Sequence, residues 1–262
     1  MTPAAGAPAS APAPRPIPAL TRAGSILRLL AGGDGPLALA DVAAPLGLPK
    51  GTTHGILRTL RAEGLVEQDA SGGRYRPGPE LLRLGHHYLD THELVARARP
   101  HTDDLAHTTG QSVHLVTHHR QNALIVHHVP RPDGNHQAQE VGGTLPLHST
   151  ALGKILLAFD PATRAQLPHA PLKAFTSHTV TDADVLDAQC ATARALSWAA
   201  SVEETWNGVA SLAAPVHDHR GRPVGAVGIT GPVDLLRRDG RMRPELTRTL
   251  IKTARAISPH TQ

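Results

Sequence analysis

The segment PKGTTHGILRTL, residues 49–60, has the apolar spacing of an amphipathic helix. When its residues are placed at 100° intervals, one side carries a row that predicts the face packed on the core. That side holds Thr53, Ile56, Leu57 and Leu60. The opposite side holds Gly51, His54, Gly55, Arg58 and Ala62. The segment therefore predicts a surface helix whose two glycines face away from the core.

Two glycines on one exposed helix face need an explanation, because each glycine inside a helix costs about 1 kcal/mol relative to alanine. A missing side chain lets another surface come very close to the backbone, and the major groove of DNA is such a surface. In the alternative interpretation, Gly51 lies in a tolerant first turn and Gly55 has no particular role.

The sequence around this segment predicts a winged helix. A first helical pattern starts at Leu20 and stops at the glycines of residues 32–35, and a second runs from Leu39 to Leu46. Pro45 predicts that the second helix is short or bent. Gly47 then supplies the tight turn of a helix-turn-helix. Residues 64–78 form two short strand-like runs around Ser71-Gly72-Gly73, as in a hairpin.

Polar and basic side chains near the start of the segment predict contacts with DNA. Segment 49–64 carries three basic residues and one acid, for a net charge of 3 − 1 = +2. Base edges are usually met near the start of a recognition helix, and arginines on the wing would contact phosphates. The candidate DNA-binding residues are Lys50, Gly51, Thr52, Thr53, His54, Gly55, Arg58, Arg61, Arg74 and Arg76.

The rest of the chain predicts an α+β domain. Leucines from Pro79 to about Ala98 indicate a connecting helix, and four segments look like strands: 112–119, 122–129, 210–218 and 222–230. Helical patterns cover 150–159, 182–196 and 243–257. We therefore expect a disordered Pro/Ala-rich tail at 1–18, a winged helix-turn-helix domain at 19–79, a linker helix at 80–98 and a second domain at 99–260.

Composition excludes several classes of protein. Hydrophobic residues make up 40% of the 262 residues, and no apolar run approaches the roughly 20 residues of a membrane span. Cys190 is the single cysteine, so an intrachain disulfide framework is impossible and a cytoplasmic location is expected. A net charge of +4 permits a polyanionic partner without requiring one. We predict no cofactor, no metal and no membrane partner.

Several blocks, in the right order, resemble the IclR family of bacterial transcription regulators. The blocks are LALADVAAPLGLPKGTTHGILRTLRAEGLVEQDASGGRYRPGPELLRLG, TGQSVHLV, PLHSTALGKILLAF, SVEETWNGVASLAAPVHD and PVGAVGITGP, which together cover about residues 20–258. The resemblance implies a winged-helix domain joined by a helix to a GAF-like effector-binding domain. It also implies homodimers or homotetramers on a palindromic double-stranded operator, and a small effector that alters operator affinity.

Within the family, KGTTHGILRTL, HELVARA, LIVHHV and VEETWNGVASLAAP are most similar to the regulators of glycerol operons. For that subgroup the resemblance implies a repressor of glycerol catabolic genes that glycerol 3-phosphate releases. A regulator of another catabolic operon, responding to an aromatic or keto acid, is the alternative. The common family version has serine at 51 and arginine at 55, so the two glycines are a subgroup feature that predicts a different operator preference.

The resemblance also implies the effector-binding residues. They are His148, Ser149, Thr150, Ser201, Ser211, Gly228 and Thr230. Family members that bind small keto acids carry an aspartate where this chain has Ser201, and its absence would relieve repulsion toward a dianionic phosphate. Ser149 or Thr150 would cap the helix that runs to Phe159, whose N-terminal amides suit an anion, and His148 and Lys154 would add charge. In the alternative, the Ser-Thr pair only caps the helix, and Ser211 and Thr230 are buried hydroxyls bonded to the backbone.

Two alternative hypotheses about function have weaker support. Eighteen histidines raise the possibility of a metal-responsive regulator, but His127 and His128 are adjacent on a predicted strand and would point to opposite faces. For an enzyme, HSTALGK ends like a P-loop, yet His148 stands at the required glycine and Ile155 at the required hydroxyl residue. We therefore expect no catalytic residues.

Overall fold

The structure is a computed structural model that describes residues 16–33, 35–70, 73–131, 140–167 and 171–259. The chain divides into two compact units, with the boundary between Tyr88 and Leu89. Most of the segment predicted as a disordered tail, residues 1–15, lies outside the described residues. Its last residue, Pro18, is already the first residue of a helix, where the fixed φ of proline is favourable.

The first unit contains three helices and a hairpin, followed by a fourth helix. Its elements are α1 (Pro18–Ala31), α2 (Leu39–Ala43), α3 (Lys50–Ala62), β1 (Val66–Gln68), β2 (Tyr75–Pro77) and α4 (Pro79–Asp90), whose last two residues lie past the unit boundary. Ile26, Val42, Leu57 and Tyr75 pack together in a common core. The predicted short second helix is confirmed: α2 ends at Ala43, and Pro45 has no amide hydrogen with which to continue the helical bonding.

The hairpin pairs β1 with β2 in antiparallel register, with Glu67 opposite Arg76. Ser71 and Gly72 of its predicted turn lie outside the described residues. Gly73 adopts a φ of 64°, which a side chain would disfavour. The hairpin thus stands beside α3 as the wing that the sequence predicts.

The predicted single connecting helix is two helices in the structure. The first is α4, and α5 (Glu93–Thr109) follows after a break at Thr91 and His92. The α4 helix has no buried residue, whereas Leu94 and Val95 of α5 belong to the core of the second unit. The leucine pattern continues across the break, which is why periodicity alone joined the two helices.

The second unit is built on one antiparallel sheet, in agreement with the predicted α+β class. Its strands are β3 (Ser112–His119), β4 (Asn122–Val129), β5 (Thr144–Pro146), β6 (Ala199–Val202), β7 (Val209–His217) and β8 (Pro223–Pro232), in the order β5-β4-β3-β8-β7-β6. The sequence predicted the four long strands. It missed β5 and β6, which are too short to show an alternating pattern.

Helices cover both faces of this sheet. The remaining elements are α6 (Ala151–Phe159), α7 (Pro161–Ala165), α8 (Ala183–Leu196), α9 (Val233–Leu236), β9 (Arg237–Arg238), β10 (Arg241–Met242) and α10 (Pro244–Ile257). One apolar cluster joins α5 and α10 to one sheet face, and a second joins α6 and α8 to the other. Within the described part of the chain, no helix is both long and apolar enough to cross a bilayer.

Candidate nucleic-acid interface and ligand pocket

The α3 helix presents a polar face to solvent. Leu57 and Leu60 are buried against the core of the first unit, as the helical spacing predicts. Lys50, Gly51, His54, Arg58 and Arg61 are exposed, and Thr52 and Gly55 are partly buried. The predicted outward face is therefore accessible; it carries Arg58, and the exposed cations Lys50 and Arg61 lie beside it.

Thr53 does not belong to this face. Its side chain is fully buried, and its hydroxyl donates to the carbonyl of Pro49 at 3.1 Å. The helical spacing placed Thr53 correctly on the core side, so counting it among the DNA-binding residues was wrong. A threonine whose hydroxyl bonds one turn back on its own helix has no donor left for a base edge.

Neither glycine of α3 is required by packing within the chain. A Cβ atom added at Gly51 or Gly55 would meet no described atom within 4 Å, and neither residue has a positive φ. Alanine would therefore fit at both positions in the isolated protein. The two glycines therefore either allow close approach of a partner outside this chain or have no particular role.

Several of the predicted cations are already engaged. Arg76 pairs with Glu67 across the hairpin at 2.7 Å, and Arg61 donates to the side chain of Gln68. Arg74 reaches the carbonyl of Pro36 at 3.5 Å. By contrast, Lys50 and Arg58 make no side-chain hydrogen bond or ion pair with the residues that the structure describes. These two side chains are the most available for a nucleic acid.

A small cavity lies in the second unit, where the N-terminus of α6 meets the sheet. Its volume is about 20 Å³, which is room for one water molecule or two. Five of the seven predicted effector-binding residues line it together with five others that the sequence analysis did not select. The lining is formed by Leu145, Ser149, Thr150, Leu152, Ser201, Thr205, Trp206, Val209, Ser211 and Thr230.

Hydroxyl groups make most of the hydrogen bonds at the N-terminus of α6. Thr150 caps the helix by accepting from the Gly153 amide at 3.1 Å, which confirms the predicted cap. Ser201 donates to the carbonyl of Ser149 at 2.8 Å, and Thr205 contacts the same carbonyl at 2.7 Å. The Ala151 amide, at the start of the helix, faces the hydroxyl of Ser211 at 3.4 Å. The positive end of the α6 dipole therefore points into this cavity.

His148 does not line the cavity, contrary to the prediction. Its ring is buried, and Nε2 donates to the carbonyl of Lys173 at 2.9 Å. The ring also stacks on Phe175, with 5.7 Å between centroids. His148 thus holds the segment after residue 170 against the start of α6, and its Nε2 is committed to a backbone carbonyl there.

Gly228 also has a packing role rather than a place in the lining. A Cβ atom there would lie 2.6 Å from the carbonyl oxygen of Leu212 and 2.9 Å from Leu152. The glycine allows α6 to lie directly on the centre of the sheet. It therefore shapes the pocket from beneath without contributing a surface to it.

Lys154 and Glu204 form a buried ion pair behind the pocket, so Lys154 is not available to a ligand. Their side chains are 2% and 8% exposed, and Nζ of the lysine contacts Oε1 of the glutamate. Burial lowers the pKa of Lys154, and the neighbouring Glu204 carboxylate opposes that shift. The pair ties α6 to the loop 203–208.

Thr205 and Trp206 were missed because they lie in that irregular loop, between β6 and β7. Hydroxyls of Thr176 and Thr179 donate to the carbonyls of Glu203 and Glu204, and these bonds fix the loop over the pocket. Trp206 remains 42% exposed at the rim. No periodic pattern marks such residues, although VEETWNG is one of the blocks that carry the family resemblance.

The pocket carries hydroxyls and apolar groups and is free of charge. None of the described residues that line it is ionisable. Elsewhere in the described chain, no three His, Cys, Asp or Glu side chains converge as ligands of a metal ion would. The arrangement is suited to hydrogen bonding a small polar molecule, with a helix N-terminus available for an anionic group.

Family models match both parts of the chain. The model described as the IclR helix-turn-helix domain matches residues 19–70, and the model described as bacterial transcriptional regulator IclR C-terminal matches residues 86–259. The chain is 57% identical over 244 residues to the glycerol operon regulatory protein of Streptomyces coelicolor. It is 52% identical over 244 residues to the protein of the same name from Streptomyces griseus. Each alignment covers 93% of this chain and 96% of the relative.

Solved structures show the same fold. The IclR transcriptional regulator of Alicyclobacillus acidocaldarius is 26% identical and superposes with a TM-score of 0.80. The alignment covers 93% of this chain and 98% of that structure.

Proposed function

Because the chain belongs to the IclR family of bacterial transcriptional regulators, we propose that it represses the genes of a glycerol operon and is released from their operator by glycerol 3-phosphate. The observation that carries the proposal is the identity of 57% and 52% to two glycerol operon regulatory proteins over nearly their full lengths. The chain is thus a regulator rather than an enzyme, and we place its action in the cytoplasm, where its operator lies.

In the proposed complex, α3 enters the major groove of the operator. Lys50, His54 and Arg58 are exposed on the face that would meet the bases, and Gly51 and Gly55 allow close approach of the backbone. Thr52 and Arg61 would contribute at the edge of this face. Arg74 and Arg76 on the wing would contact phosphates, for which Arg76 must exchange its Glu67 partner.

We further propose that the working unit is a homodimer or a dimer of dimers on a palindromic site. The α4 helix supports this proposal, because Leu82, Leu84 and Tyr88 are 66%, 48% and 50% exposed along it. Apolar side chains grouped on one helix commonly mark a surface that a partner covers. A symmetric pair of recognition helices would then read two half-sites.

For the effector, the chemistry of the pocket supports a phosphate ester of a polyol. Ser201 stands where an aspartate would repel a dianion, and at the N-terminus of α6 the Ala151 amide would exchange its Ser211 partner for the phosphate group. Ser149, Thr150 and Thr230 add hydroxyls that suit the remaining oxygens. A cavity of about 20 Å³ is too small for this ligand, so binding must widen it, and the half-exposed Trp206 at the rim is the group best placed to move.

The test is fluorescence anisotropy of the purified full chain on DNA from upstream of its host's glycerol uptake and kinase genes. The salt concentration is held constant, because phosphate contacts make DNA affinity strongly salt-dependent. We expect tight binding that glycerol 3-phosphate abolishes and glycerol leaves unchanged. Release by an aromatic or keto acid instead would mean that this acid is the effector. Absence of sequence-specific binding would refute the assignment to a glycerol operon.

A further inference from the structure

Four hydroxyl residues lie side by side across four strands on the pocket face of the sheet. In the strand register, Ser201 of β6 is opposite Ser211 of β7, and Ser211 is opposite Thr230 of β8. Thr230 is in turn opposite Ser112 of β3. Directly opposed residues of antiparallel strands project from the same face, with Cβ atoms about 4.5–5.5 Å apart. The four side chains therefore form one continuous row, which we call the hydroxyl row.

The apolar neighbours of the hydroxyl row identify the face of the sheet on which it lies. Val113 and Ile229, the neighbours of Ser112 and Thr230, pack in the cluster with α5 and α10. Side chains alternate along a strand, so the row itself faces the α6 side. Three of its members line the cavity, and Ser112 extends the row by one strand beyond the cavity's present limit.

Ser112 is the member whose role in the folded protein is unexplained. The residue is 1% exposed, and its hydroxyl has no hydrogen-bond partner among the described residues. Burial of an unsatisfied hydroxyl is unfavourable, and such groups in native proteins call for an explanation. Ser201 and Ser211, by contrast, already make hydrogen bonds at the N-terminus of α6.

We propose that Ser112 is a specificity-determining residue of the effector pocket, whose hydroxyl binds a hydroxyl group of a polyol phosphate when the pocket widens along the hydroxyl row. This inference rests on the proposed function, because it requires the effector to occupy this pocket. The phosphate lies at the N-terminus of α6, and the carbon chain runs along the row toward β3. Each hydroxyl of the row is one donor and an acceptor, which matches the hydroxyls of a polyol.

The experiment measures binding of two phosphate esters to the full-length protein by calorimetry. Glycerol 3-phosphate carries two hydroxyls, whereas n-propyl phosphate has the same length of carbon chain and none. In the variant Ser112→Ala we expect the Kd for glycerol 3-phosphate to rise about 3- to 10-fold, as the loss of one uncharged hydrogen bond implies. The Kd for n-propyl phosphate should stay the same. Thr117→Val is the matched control, since Thr117 lies on the same strand opposite Leu124, on the other face.

A second readout separates this role from a structural one. Ser112→Ala removes a buried hydroxyl that has no partner in the described chain, so without ligand the variant should melt at the same temperature as the wild type or higher. A serine that only stabilised the fold would show the reverse. If the alanine variant fails to fold, Ser112→Cys, which is slightly larger and forms only a weak hydrogen bond, takes its place in the same titrations.

The possible results are distinguishable. An unchanged Kd for glycerol 3-phosphate in Ser112→Ala would overturn the role of Ser112 and leave the proposed effector standing. An equal loss for both esters would show that Ser112 acts on pocket shape, and would overturn hydroxyl recognition. Failure of the wild-type protein to bind glycerol 3-phosphate would overturn the proposed effector and this inference together.

Discussion

Replacing Gly55 by alanine should stabilise the protein and lower its affinity for operator DNA. Gly55 is the sixth of the thirteen residues of α3, so it lies in the helix interior. An added Cβ would meet nothing described within 4 Å, so no clash offsets the gain in helix propensity. The free energy of unfolding should therefore rise by about 0.8–1.0 kcal/mol. For a domain the size of the first unit, Met1–Tyr88, that corresponds to a rise of about 4–8 °C in melting temperature.

The same methyl group should be costly at the operator if the DNA approaches the backbone there. Overpacking a close interface costs about 1–3 kcal/mol, which corresponds to a loss of roughly 5- to 150-fold in affinity. Calorimetric melting and operator anisotropy on one preparation measure both effects. Gly24→Ala is the matched control, because Gly24 is the seventh of fourteen residues of α1 and its added Cβ would make only ordinary contact with Arg28.

The two variants separate the two interpretations of the glycines. Gly24→Ala should gain stability by a similar amount and leave operator affinity unchanged. If Gly55→Ala also leaves operator affinity unchanged, the α3 glycines do not serve close approach to DNA. If Gly55→Ala destabilises the free protein, the conclusion that packing within the chain does not require glycine is wrong.

Arg58→Ala should weaken operator binding by about 1–3 kcal/mol while sparing unrelated DNA, and equal losses on both would assign Arg58 to a phosphate. Ser201→Asp should weaken release by glycerol 3-phosphate, because a carboxylate would face the dianion; unchanged release would contradict the pocket assignment. Lys154→Met should cost about 3–5 kcal/mol of stability by leaving Glu204 buried without its partner. Chemical denaturation should show most of that loss recovered when Glu204→Gln is added, and no recovery would mean that the pair matters through shape. Burial, with a smaller effect of a nearby arginine, lowers the pKa of His127, so the folded state favours its neutral form. The stability that neutral His127 contributes is present above the unfolded pKa of about 6.5 and is lost as the pH falls below that value. The melting temperature of His127→Gln should therefore depend less on pH between 7 and 5.

Much of the first unit could be predicted from the sequence, because local signals specify it. Periodic leucines mark α1 and α3, Pro45 limits α2, and Gly47, with a φ of 61°, makes the turn between α2 and α3. The cap of α6 could likewise be narrowed to Ser149 or Thr150, since a cap and the amide it bonds are only three residues apart. Each of these features depends on residues within one or two turns of chain.

The pocket depended on contacts that the sequence does not display. The ring of His148 turns to a carbonyl 25 residues away, and Lys154 finds its partner 50 residues along the chain. Family resemblance named five residues that line the cavity, but it also included His148 and Gly228, which do not. Only the tertiary fold distinguishes a side chain that enters the cavity from one that supports it.

The sequence by itself determined that this protein is a winged-helix regulator with a separate effector domain, because helix periodicity, turn residues and ordered family blocks are properties of the chain. The tertiary structure alone decided which hydroxyls act together. Ser112 and Ser201 are 89 positions apart and become members of one row through the register of four paired strands. Register is set by long-range hydrogen bonding and by burial of one sheet face, and neither is written in any local stretch of residues.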